Sequence, residues 1–225
     1  MEILKIRALV RLFGLSLLME ALLFVPAGTL DYWQAWVFLA TYLSASLAIT
    51  LYLVKNDPKL LARRMKGGPI AETLRVQKII MSFASVVFVS LLVVPALDHR
   101  FAWSSMPPLL AVAGDGMVLL GWLGIFFVFK ENTFTSATIE LAADHRVIAT
   151  GPYSVVRHPM YSGGLILLLG TPIALGSWWG VLVMASIVPA LIFRLFDEET
   201  FLARQLPGYL AYQKKVPYRL VPLIW

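Results

Sequence analysis

Two short polar stretches in an otherwise greasy chain carry the side chains able to do chemistry. The first, Gly151 to Gly164, reads GPYSVVRHPMYSGG and sets Arg157 and His158 side by side between Pro152 and Pro159. Pro159 suits the first turn of a helix, whose unpaired N–H groups and positive dipole end favour an anion, and Arg157 and His158 are expected to face that anion. Gly163 and Gly164 let a ligand or a neighbouring helix approach the backbone. The second stretch holds Arg194, Asp197, Glu198 and Glu199 where the last apolar run ends. Arg194 and Glu198 are four apart, so on a helix they share a face and can pair or position one another for a ligand. Such a pair is worth little on an open surface. Its place at a membrane boundary beside two more acids gives it more weight.

Together the two stretches offer Arg157, His158 and Arg194 for anions, Glu198 and Glu199 for cations, and Tyr153, Tyr161, Tyr209 and Tyr212 for stacking. A ligand with both a carboxylate and a positive charge suits that inventory. The chain has no cysteine, which excludes disulfides, thiolate zinc sites and cysteine nucleophiles. It also lacks a GxGxxG fingerprint, a Walker loop, a HExxH helix and a GxSxG elbow. His99, His145 and His158 are too scattered in sequence to argue for a metal, and His145 reads as an exposed loop histidine.

The elements that must position these residues are membrane spans. Hydrophobic residues make up 59% of the 225 and charged ones 14%, far from the balance of a soluble domain. The net charge of +6 comes from basic residues that flank apolar runs, a topology signal rather than a nucleic-acid footprint, so no nucleic-acid partner is expected. Spans are expected at Leu12–Leu30, read as retained rather than as a cleaved leader, and at Trp33–Val54, Ile79–Leu97 and Leu109–Phe129. The cationic connection from Lys55 to Lys78 reads as a topology signal and a contact with anionic lipid. The segment Asp98 to Pro108 reads as a loop. Gly114, Gly116, Gly121 and Gly124 should let the fourth span pack closely on a neighbour. Glu20 calls for a partner on another helix or for a proton, and Asp115 for hydration near the interface.

Lys130 to Arg157 is polar and belongs outside the hydrocarbon. Two apolar stretches, Met160–Leu175 and Trp178–Phe196, follow; the first is short for a crossing of about 20 residues, and a tilted helical hairpin is expected. With the N-terminus inside, every Lys and Arg except Arg100 falls on the cytoplasmic side, together with the RHP segment and the C-terminus. The expected fold is therefore an all-α polytopic transmembrane bundle: four spans in residues 1–129, then a region at 130–225 made of a cytoplasmic loop, the hairpin and a tail.

GPYSVVRHPMYSG, the apolar hairpin and RLFDEETFLARQLPGYLAYQKKVPYRLVP, with the NTF at Asn132 to Phe134, resemble the isoprenylcysteine carboxyl methyltransferases and, more loosely, the phospholipid N-methyltransferases. The resemblance covers roughly the C-terminal two fifths of the chain. It implies an all-helical membrane enzyme that binds S-adenosylmethionine from the cytoplasm without a Rossmann domain. Position by position, it implies a cofactor pocket lined by Gly151, Tyr153, Arg157, His158, Pro159 and Tyr161, with Glu199 in the cofactor set and Tyr209 and Tyr212 closing it. Arg194 and Glu198 match the R-x-x-x-E pair near the reacting groups and are the expected catalytic residues.

The implied reaction is carboxyl O-methylation of a hydrophobic or lipidated acid that enters from the bilayer, among membrane lipids. N-methylation of a phospholipid or amine is the alternative, followed by an NADPH-dependent sterol-type reduction, since some sterol reductases end in a similar RHPxYxG segment, and by an inactive membrane scaffold. The short N-terminal region resembles prokaryotic members, which implies an inner membrane, or the endoplasmic reticulum in a eukaryote.

Overall fold

A computed structural model describes residues 2–67, 70, 72, 75–135 and 146–225. His145, Glu140 and Asp144 lie outside the described residues. Among the described residues the chain is all helical: α1 (Glu2–Ala27), α2 (Trp33–Asn56), α3 (Pro58–Arg64), α4 (Arg75–Phe101), α5 (Pro108–Glu131), a 3-10 turn at Gly151–Ser154, α6 (Pro159–Ala174), α7 (Trp178–Gln205) and α8 (Tyr209–Lys215). Five of these, α1, α2, α4, α5 and α7, are long and apolar enough to cross a membrane. They expose large apolar side chains such as Val10, Phe13, Val86, Leu120 and Leu182 outward, as lipid-facing helices do. At 16 residues α6 spans about 24 Å, short of a hydrocarbon core of about 30 Å.

Local chemistry sets the helix ends. Asp57 caps α3 by accepting from the Leu60 N–H at 2.9 Å, with Pro58 at the first helical position. Ser177 caps α7 in the same way, accepting from the Gly180 N–H at 3.0 Å. Pro159 opens α6, as its fixed φ favours. Pro95 and Pro189 lie inside α4 and α7, where membrane helices tolerate them.

The core is built from Met19, Leu23, Tyr32, Phe38, Leu92, Val118, Leu167 and Leu175, drawn from α1, α2, α4, α5 and α6 and the turns at their ends. The closest approach joins α5 to α6. A Cβ added to Gly114 would lie 2.2 Å from the Ala174 N, and one added to Gly121 would lie 2.7 Å from the Gly163 O. Gly170 of α6 answers in kind, with 2.8 Å to the Gly114 O. Small residues seven apart on facing helices thus seat backbone on backbone. Gly116, expected to share this role, has nothing within 4 Å of an added Cβ, because it points off that face. Of the pair Gly163 and Gly164, only the first meets the neighbouring helix.

One end of the bundle gathers the α1–α2, α4–α5 and α6–α7 connections. Trp33, Trp36, Trp103, Trp178 and Trp179 are exposed there, an aromatic belt at a membrane interface. Beneath them α4 runs to Phe101, so Asp98 belongs to the helix and not to a loop. Only 2% exposed, it accepts from the Ser104 N–H at 2.7 Å, the Ser104 hydroxyl at 2.6 Å and the Ser177 hydroxyl at 2.5 Å. Tyr32 donates to the Leu175 carbonyl at 2.7 Å and stacks on His99.

Arg100, the single cation expected at this end, packs against Gly28 and donates to the Pro26 carbonyl at 3.5 Å, helping to close α1. Asp115 lies two turns into α5, 6% exposed and with no hydrogen-bond partner on either oxygen among the described residues, not at a hydrated helix start. The partner of Glu20 is Ser16, one turn back on its own helix, whose hydroxyl donates to it at 3.2 Å.

Candidate functional site

At the opposite end the two polar stretches meet. The chain turns at residues 175–177, so α7 runs back along α6 and its last two turns reach the start of α6. Tyr161 of α6 donates to Glu198 Oε2 of α7 at 2.7 Å. Arg157 Nε lies 2.7 Å and His158 Nε2 3.3 Å from Glu199 Oε1, and Arg219 Nε lies 3.1 Å from Glu199 Oε2. One buried carboxylate therefore gathers two guanidinium groups and an imidazole.

The tail completes the cluster. Arg157 N–H and His158 N–H donate to the carbonyls of Tyr218 and Arg219 at 2.9 and 3.0 Å, and the Ser162 hydroxyl donates to the Leu220 carbonyl at 2.7 Å. Arg157 Nη1 also donates to the Val216 and Pro217 carbonyls at 2.9 and 2.8 Å. Much of the Arg157 guanidinium is thus engaged in fastening the tail, where the sequence suggested a group facing a ligand anion. The physical reason is the supply of unpaired carbonyls in a proline-broken tail, which a five-donor fork can satisfy.

Beside this cluster lies a cavity of about 450 Å³, within the roughly 300–1,000 Å³ common for small-molecule sites. Its polar wall holds Asn132, Tyr153, Arg157, His158, Tyr209 and Tyr212, and Pro159 and Tyr161 lie beside them. Arg194 and Glu198 also line it. Its other wall is apolar: Met81, Ala84 and Phe88 from α4, Leu168 from α6, and Ile187 and Leu191 from α7. Glu199 stands behind the wall, holding Arg157 and His158. Gly151 also lies outside the lining; it starts the 3-10 turn at φ +55°, and a Cβ there would come within 2.9 Å of Glu131 Oε2. Glu131 in turn accepts from the Thr150 hydroxyl.

The tyrosines knit the polar wall. Asn132 Nδ2 donates to the Tyr153 hydroxyl at 3.0 Å, and the Tyr212 hydroxyl donates to the Tyr153 carbonyl at 2.7 Å. Burial pushes the Tyr153 and Tyr209 hydroxyls well above the usual range and raises Tyr212 to about 12, so all three stay neutral and act as hydrogen-bonding walls. The Tyr209 hydroxyl is buried and has no hydrogen-bond partner among the described residues. A lone polar group of this kind, in the wall of a cavity, is a group that a ligand can satisfy.

The local pairing expected between Arg194 and Glu198 gives way to longer-range partners. Arg194 Nη2 lies 2.8 Å from Glu72 Oε1, and Nη1 donates to Gln77 Oε1 at 2.6 Å. Gln77, fully buried, passes an N–H on to Asp197 Oδ2 at 2.8 Å. Neither Glu72 nor Gln77 stood out in the sequence. The available signal was weak: Glu72 and Asp57 are the two acids among seven cations between Lys55 and Lys78. Asn132 enters the wall from the NTF stretch, and no cluster of metal-ligating side chains occurs among the described residues.

A comparison with known families matches this half of the chain. The family model described as phospholipid methyltransferase matches residues 110–207, from the first turn of α5 to the residues between α7 and α8. Over 107 residues the chain is 28% identical to the cobalt-zinc-cadmium resistance protein CzcN of Cupriavidus metallidurans, covering 45% of this chain and 47% of that protein. Over 83 residues it is 36% identical to the protein-S-isoprenylcysteine O-methyltransferase of Schizosaccharomyces pombe, covering 36% of this chain and 35% of that protein. The chain thus matches less than half the length of each of these relatives.

Proposed function

We propose a function for a chain whose placement in the phospholipid methyltransferase and isoprenylcysteine methyltransferase-like family is supported by residues 110–207: S-adenosylmethionine-dependent O-methylation of a hydrophobic carboxylic acid drawn from the bilayer. The observation that carries it is the two-sided cavity. Arg194 and Glu198 line one cavity together with tyrosines, Arg157 and His158 and with apolar side chains of α4, α6 and α7. The residues fit the methyl donor. Two guanidinium groups and an imidazole around the single Glu199 carboxylate leave an excess of positive charge for the donor's own carboxylate, and the unpartnered Tyr209 hydroxyl awaits a polar atom. Tyr153, Tyr161, Tyr209 and Tyr212 supply faces for the adenine and for the sulfonium charge.

S-adenosylmethionine, when bound, supplies a methyl group made electrophilic by sulfonium. The protein has to place the acceptor. A carboxylate with a pKa near ~3.5 is already ionised and needs no base, so alignment provides much of the acceleration. Arg194 is suited to hold it through charge-assisted hydrogen bonds. Glu198, fixed by Tyr161, shapes the opposite side of the same space. The apolar wall takes the acceptor's chain and keeps water from the reacting groups. By the positive-inside rule, the cation-rich end supports a cytoplasmic position for the site, within reach of a soluble donor.

The test is transfer of labelled methyl to a panel of hydrophobic acids in detergent or nanodiscs. Base-labile product is expected, with activity lost by about a hundredfold or more in Arg194→Ala, as on removing a group that holds the reacting atoms. Normal turnover in that variant would overturn the assigned role. N-methylation is the second reading, favoured by the Glu198 carboxylate in the cavity, which can take a proton from an amine; a base-stable product would select it.

A further inference from the structure

Arg194 is 7% exposed, and besides Tyr161 it is held by two side chains that differ in charge and in attachment. Gln77, neutral and completely buried, belongs to α4 and holds Nη1. Glu72, negative and 4% exposed, precedes α4 by three residues and holds Nη2. A guanidinium receives a carboxylate best through two parallel N–H groups on one edge. The Nη1 and Nη2 edge of Arg194 is already shared between these two oxygens.

Resting on the methyltransferase reading, we propose that Glu72 is an internal stand-in for the acceptor's carboxylate. It neutralises Arg194 in the empty site and is displaced from Nη2 when a carboxylate acceptor arrives, while Gln77 keeps the guanidinium in position. Two carboxylates crowded on the Nη1–Nη2 edge of one buried guanidinium repel each other, which favours the departure of one of them. Glu72 is the one able to go, because it sits outside the helix, whereas Gln77 is also bound to Asp197. The exchange carries selectivity. A neutral ligand cannot replace the lost charge, and removing Glu72 would leave Arg194 to repel a cationic amine.

The experiment measures both binding and turnover of Glu72→Gln in nanodiscs. The binding probe is octane sulfonate, an anion of fixed charge, followed by calorimetry. The turnover probes are a hydrophobic carboxylate and an amine of equal chain length. Glu72→Gln is expected to bind the sulfonate about tenfold more tightly and to lower the KM of the carboxylate by a similar factor, with kcat within about twofold. The KM of the amine is expected to rise. Glu72→Asp, which keeps the charge on a shorter arm, should shift sulfonate binding in the same direction by about two- to threefold, and it carries the test if Glu72→Gln does not fold.

Unchanged or weaker sulfonate binding in the variant that folds overturns the proposal while leaving the methyltransferase reading intact. Tighter sulfonate binding with no methyl transfer from any variant, wild type included, upholds the role of Glu72 as a competing anion and overturns the methyltransferase reading instead.

Discussion

Asp98 and Glu199 are both buried carboxylates, 2% and 6% exposed, at opposite ends of one bundle, and their surroundings could hardly differ more. Asp98 accepts from two serine hydroxyls and a backbone N–H that belong to the α4–α5 and α6–α7 connections. Its partners are neutral donors, and what it achieves is to lock loops under the tryptophan belt. Glu199 draws Arg157, His158 and Arg219 onto itself from 42, 41 and 20 residues away. Two of these partners form the wall of a cavity. A buried acid surrounded by hydroxyls is a latch. One outnumbered by cations leaves a positive face next to open space, which under the proposed function serves an anionic ligand.

Replacing each acid tests the distinction, and the largest effect is expected at Glu199. Glu199→Ala leaves the buried Arg157 guanidinium, and the half-buried Arg219 beside it, short of a counter-charge, at a cost of about 3–5 kcal/mol, and should also abolish donor binding. Asp98→Ala leaves only neutral donors unpaired, about 1–3 kcal/mol, and should leave donor affinity unchanged in the folded fraction. Unfolding in detergent, with calorimetric titration of the donor, measures both. Equal loss of affinity in the two variants would break the comparison.

The scaffold between the two ends offers a smaller contrast. Gly121→Ala drives a methyl into α6 backbone and should cost about 1–3 kcal/mol, whereas Gly116→Ala should stay within about 0.5 kcal/mol. The smallest and sharpest change is Tyr209→Phe. The protein without ligand loses only an unpartnered hydroxyl, so its unfolding midpoint should hold or rise. Donor affinity should fall by one hydrogen bond, roughly 0.5–1.5 kcal/mol.

What could be read in the sequence follows the range of the interaction. Pro159 marked the start of α6 because proline stereochemistry is local, and the meeting of the RHP segment with the acids of α7 followed from two apolar runs joined by a tight turn. The glycine spacing announced a close helix pair, but only the partner's position decides which glycines use it, and Gly116 does not. The i,i+4 spacing of Arg194 and Glu198 suggested a pair that burial redistributed. Inside a bundle, a guanidinium takes the best acceptors within reach, and these came from Glu72 and Gln77, more than a hundred residues upstream. Asp98 reads as loop in the sequence because a charge ordinarily ends a span. Three hydrogen bonds make a carboxylate acceptable inside a helix end, and no local pattern reveals them.

The fastening of Arg157 to the tail has a consequence for biogenesis. The carbonyl of Val216 that receives its guanidinium is 59 residues further along the chain. At a synthesis rate of about 5–20 residues per second, that oxygen follows its donor by roughly 3–12 s. In that interval α6 and α7 emerge and can enter the bilayer while the wall that Arg157 and His158 form still lacks its backing. Insertion comes first and competence afterwards. Under the proposed function, the newly made protein is expected to gain its donor-binding wall only after its membrane topology has been set.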